Sequence, residues 1–66
     1  MSDIKKINTY FYLYNIELAF RSIYHAPDIG DEVKLKTGVY VVVQKVWLYD
    51  DETHYCQYLN VGIKPV

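Results

Sequence analysis

Pro27-Asp28-Ile29-Gly30-Asp31-Glu32-Val33-Lys34-Leu35-Lys36-Thr37-Gly38-Val39-Tyr40-Val41-Val42-Val43-Gln44-Lys45-Val46-Trp47 is the stretch that decides the fold. Pro27 to Asp31 has turn composition, with Gly30 available for a positive φ. Glu32 to Lys36 then alternates strictly, with Val33 and Leu35 inward and three charges outward. Thr37-Gly38 makes a tight connection into an unbroken β-branched and aromatic run that extends to Tyr49. The stretch predicts two strands joined as a hairpin. In the second strand, Tyr40, Val42, Gln44, Val46 and Leu48 fall on one face and Val39, Val41, Val43, Lys45, Trp47 and Tyr49 on the other. Both faces are largely apolar, as in a central strand or one curving round a barrel, and Gln44-Lys45 is a natural place for a bulge or bend.

Working outward, Ile7 to Asn15 is dense in strand formers. It puts Phe11 and Leu13 on one face and a ladder of three phenols, Tyr10, Tyr12 and Tyr14, on the other. Residues 16–26 admit two readings. Apolar side chains at 16, 19, 20, 23 and 24 trace a helical stripe that Asn15 could cap, so 16–25 can be drawn as a short helix. A strand with Leu18, Phe20 and Tyr24 inward runs more naturally into Ala26-Pro27, and the strand is favoured. After an acidic loop at Asp50-Asp51-Glu52-Thr53-His54, a last strand from Tyr55 to Ile63 sets Leu59, Val61 and Ile63 against Cys56, Tyr58 and Asn60, with Gly62 marking a bend. Five strands with short connections predict an all-β domain over 7–66, either a small five-stranded antiparallel sheet or an SH3-like barrel. The polar residues 1–6 are expected to form a flexible N-terminus.

Size and charge narrow the function classes. A chain of 66 residues buries only about 60% of its unfolded surface and is marginally stable, so small domains often add disulfides, a metal or a partner subunit. One cysteine forbids an internal disulfide, and two histidines with one cysteine lack metal-ligand spacing. A well-packed core or a homo-oligomer remains. Seven basic and eight acidic side chains leave a net charge of −1, without the basic face that nucleic-acid binding needs. No apolar run approaches the ~18 residues of a membrane span, and no signal-peptide core follows Met1. These features predict a cytoplasmic protein with no membrane partner.

A nucleophile and base could be drawn from Cys56 and His54 with Asp50, Asp51 and Glu52 nearby. A sheet this small has scarcely the volume for a substrate pocket, and a lone cysteine is more often a buried apolar side chain. The expectation is therefore a non-enzymatic chain with no cofactor. Eight tyrosines among 66 residues point instead to contact surfaces, since tyrosine couples a large apolar ring to a polar tip. Two candidate partner-binding surfaces follow. One is the ladder of Tyr10, Tyr12 and Tyr14. The other is the tip formed by Trp47, Tyr49, Asp50, Asp51, Glu52 and Tyr55, where carboxylates rim aromatic anchors. Trp47 also reads as a cap on the core, and that role is favoured.

The pattern Pro27-x-Ile29-Gly30-Asp31-x-Val33-x-Leu35 with Gly38-x-Tyr40-x-Val42-Val43-x-x-Val46-Trp47 resembles one seen in many small β-domain proteins of bacteriophages and prophages. It covers about a third of the chain and is a scaffold signature. The resemblance implies a phage-type inhibitor or adaptor that binds a host protein, such as a defence component, stoichiometrically in the host cytoplasm. The alternative is a small-barrel nucleic-acid-binding protein that stacks bases on an aromatic strand face.

Overall fold

The computed structural model describes residues 6–49 and 57–66, with the Gln57 side chain left aside. The described chain is all strand: β1 Ile7–Leu13, β2 Ile16–Ile23, β3 Glu32–Leu35, β4 Gly38–Tyr49 and β5 Gln57–Pro65. They form one sheet in the order β2-β1-β5-β4-β3, curled into a half-barrel. Three of the four ladders are antiparallel; the central β1–β5 pair is parallel, with Phe11 beside Val61. The sheet is therefore mixed, because the chain returns from β4 to insert β5 between the two hairpins. No helix is present among the described residues.

The core lies on the inner face. Phe11, Tyr40, Val42, Leu59, Val61 and Ile63 are buried, and Ile7, Leu13, Leu18, Ala19, Ala26, Val33, Leu35 and Trp47 pack around them. Each fully buried aliphatic or aromatic side chain stabilises the fold by about 1.5–3 kcal/mol relative to exposure. Thr9 is fully buried among them, and its hydroxyl donates to the Ile7 carbonyl at 3.1 Å. At the rim, the Tyr40 and Thr37 hydroxyls share a hydrogen bond of 2.6 Å. The segment between β2 and β3 is tied to β4 through backbone bonds. Gly30 N–H donates to the Val42 carbonyl and Val42 N–H to the Asp31 carbonyl, both at 2.9 Å, with Gly30 at φ 98°. Lys45 Nζ adds an ion pair to Asp28 Oδ1 at 3.4 Å.

Two bulges decide which side chains face out. In β2, Ala19 opposes Phe11 but Glu17 opposes Tyr12, so Leu18 is the extra residue. Leu18 turns towards the core with Ala19, while Phe20, opposite Tyr10, lies on the outer face and is 43% exposed. Residues 16–23 are thus a strand, and the inward placement expected for Phe20 is corrected. In β4, Val42 opposes Ile63 and Gln44 opposes Gly62, leaving Val43 unpaired. Beyond it the faces exchange. Lys45 and Trp47 join Tyr40 and Val42 on the inner face, opposite Val61 and Leu59, whereas Gln44, Val46 and Leu48 point outward. The simple alternation expected along β4 does not survive this inserted residue.

A candidate contact face on the outer side of the sheet

Four aromatic rings gather on the outer face of the sheet. Tyr10 stands at its centre, with ring centroids 4.9 Å from Phe20, 6.1 Å from Tyr58 and 6.5 Å from Tyr12, all tilted. These are the spacings at which aromatic pairs attract beyond their burial. The register explains the cluster. Tyr10 is directly opposite Phe20 on β2 and beside Asn60 on β5, which brings Tyr58, two residues away on the same face, within reach. Leu48, opposite Tyr58, and Val46, opposite Asn60, continue the apolar surface onto β4, at 42% and 41% exposure.

Next to the rings the face sinks into an open depression of about 290 Å³. Its floor is Gly62, with Tyr12 on one neighbouring strand and Gln44 on the other. Asn60 and Val46 close it below, and the β1–β2 turn, Tyr14-Asn15, closes it above. The lining is neutral: phenols, side-chain amides and one valine. Among the described residues, the amides of Asn15, Gln44 and Asn60 make no side-chain hydrogen bond within the chain.

Tyr10 and Tyr12 lie on the expected face. Tyr14 does not complete the ladder, because β1 ends at Leu13 and Tyr14 occupies the first position of a tight turn. Trp47 is on the inner face, packed against the core. Tyr49 follows it on that face, at the end of β4 and 65% exposed. The described members of the two candidate surfaces, Tyr10 and Tyr12 of one and Trp47 and Tyr49 of the other, therefore lie on opposite sides of the sheet. Asp50, Asp51, Glu52 and Tyr55, like His54 and Cys56, lie outside the described residues. Phe20 and Tyr58 belong to the cluster although sequence reasoning did not select them. Tyr58 shares the parity of Asn60, opposite the aliphatic stripe of β5, and could have been found by that signal. Phe20 could not, since a bulge upstream hides its parity.

Charges on the outer strand positions balance: Glu17 and Glu32 against Lys34 and Lys64. Among the described residues, no cluster of His, Cys, Asp and Glu could hold a metal ion, and no helix is long and apolar enough to cross a membrane. Comparison with protein-family models, curated proteins and solved structures finds no match to this chain.

Proposed function

We propose that this chain is a non-enzymatic protein-binding module whose contact surface is the outer face of the sheet, centred on Tyr10, Tyr12, Phe20 and Tyr58. The observation that carries this reading is the Tyr10 cluster, four rings gathered on the side of the sheet away from the core. Grouped outward with Val46 and Leu48, they have the composition of an interface centre, aromatic and uncharged. The phage-type resemblance adds a role within this class, stoichiometric inhibition or adaptation of a host protein.

Nucleic-acid stacking on the same rings is disfavoured by the balanced charge of that face, because phosphate neutralisation supplies most of such affinity. Affinity capture from a bacterial lysate, with and without nuclease, separates the two. A stoichiometric protein that survives nuclease and is lost with Tyr12→Ala supports the proposal. Partners that vanish with nuclease, or binding that falls steeply with salt, transfer the face to nucleic acid.

A further inference from the structure

Three local features, a bulge, a glycine and a left-handed turn residue, converge on the depression beside the aromatic cluster. Val43 is inserted in β4 immediately before Gln44, which turns Gln44 to the outer face. Gly62, the floor, stands opposite Gln44, and a Cβ there would come within 3.2 Å of the Gln44 Cβ. Tyr14 holds φ 57° at the first position of the two-residue β1–β2 turn, a place where tight hairpins favour glycine. A bulky side chain in that conformation is unfavourable, and such strain persists where the surroundings or function require it. The fold does not need the ring: Tyr14 is 82% exposed, more than any other large apolar side chain described.

We infer that the occupant of this depression is a second copy of the chain, paired face to face about a two-fold axis. Tyr14 of each copy lies across the other's socket, over Gly62. This deepens, and rests on, the assignment of the outer face as a protein-contact surface. A knob beside a hole on one surface is self-complementary under two-fold rotation, where each residue's contact is made twice. The socket lining is uncharged, so a second copy brings no like charge into it, and the amides of Gln44 and Asn60 offer donors and acceptors to the incoming phenol. The area suffices as well. A standard interface of about 800 Å² per partner takes about a sixth of the chain's 5141 Å² of accessible surface. Stability argues the same way, since a chain this short has six buried apolar side chains among the described residues and no disulfide to reinforce them.

Sedimentation equilibrium of the full chain from about 10 to 500 μM, a range chosen to expose mass action, tests the pairing. Wild type should move from 7.8 kDa towards twice that mass. Tyr14→Gly should stay monomeric with a thermal midpoint, measured at low concentration, no lower than wild type, because glycine suits the turn. Gly62→Ala, which fills the floor and presses on the Gln44 Cβ, should weaken association at least about tenfold, as loss of a central contact does, while its circular dichroism spectrum stays that of wild type. A wild type that remains monomeric throughout, or variants that associate as wild type does, overturns the inference. If wild type is monomeric yet captures a nuclease-resistant protein that Tyr12→Ala loses, only the self-pairing falls. If it is monomeric and captures nothing, the contact-face assignment falls with it.

Discussion

The rings of Tyr10 and Phe20 face each other across the β1–β2 ladder at 4.9 Å, tilted by 51°, on the side of the sheet that the core does not use. The pair supports the edge strand and the candidate contact surface at once. A double-mutant cycle of Tyr10→Ala and Phe20→Ala should give a coupling of about 0.5–1.5 kcal/mol in chemical unfolding, the range of aromatic pairs. Each single variant should remain folded by circular dichroism, because neither ring is in the buried core.

The core itself has little reserve. A 66-residue domain has a total stability of roughly 3–10 kcal/mol, and truncating a buried leucine costs about 2–5 kcal/mol. Leu59 is fully buried on the central strand. Leu59→Ala should therefore leave much of the population unfolded at room temperature, read as loss of the cooperative thermal transition. Leu48→Ala, on the outer face, should lower stability by less than about 1 kcal/mol, as surface changes do.

Thr9 is the polar exception in the core, and its hydroxyl serves only the Ile7 carbonyl two residues away. Thr9→Val, which replaces the hydroxyl by a methyl of the same shape, should be neutral or mildly stabilising. A loss above about 2 kcal/mol in urea unfolding would mean that the hydroxyl has a further structural role.

At the β3–β4 turn the Tyr40 hydroxyl has Thr37 as its partner at 2.6 Å, although the Tyr40 side chain is otherwise part of the core. Tyr40→Phe should cost about 0.5–1.5 kcal/mol, the net worth of one hydrogen bond. Thr37→Val leaves a half-buried phenol unsatisfied and should cost at least as much.

How far the sequence revealed this fold depended on where the signals were local. The alternation of Val33 and Leu35 and the run from Val39 onward announce the β3–β4 hairpin, and Phe11 faces the core as its parity requires. Residues 16–23 resisted because the bulge at Leu18 breaks the two-residue period, leaving a spacing that also imitates a helical stripe. The inserted Val43 did the same to β4, exchanging the faces of Gln44, Val46 and Leu48. Gln44-Lys45 signals a bulge or bend, and the irregularity falls just before it, but nothing local gives its consequence for the outer face. The parallel placement of β5 beside β1 has no local signature, since it depends on which edge the returning chain meets. The outer cluster inherited these limits. Tyr10 and Tyr12 were evident by alternation, whereas Phe20 and the Gly62 socket emerge only when the strands are in register.

The face assignment is tested most directly by letting tagged chain capture untagged chain together with lysate proteins, for wild type, Tyr58→Ala and Tyr49→Ala, and identifying the bound material by mass. Tyr58 belongs to the Tyr10 cluster, while Tyr49 lies on the opposite side of the sheet. Loss of capture with Tyr58→Ala but not with Tyr49→Ala is the predicted result. Capture unaffected by Tyr58→Ala, or abolished by Tyr49→Ala alone, would contradict the outer face as the surface through which this chain meets its partners.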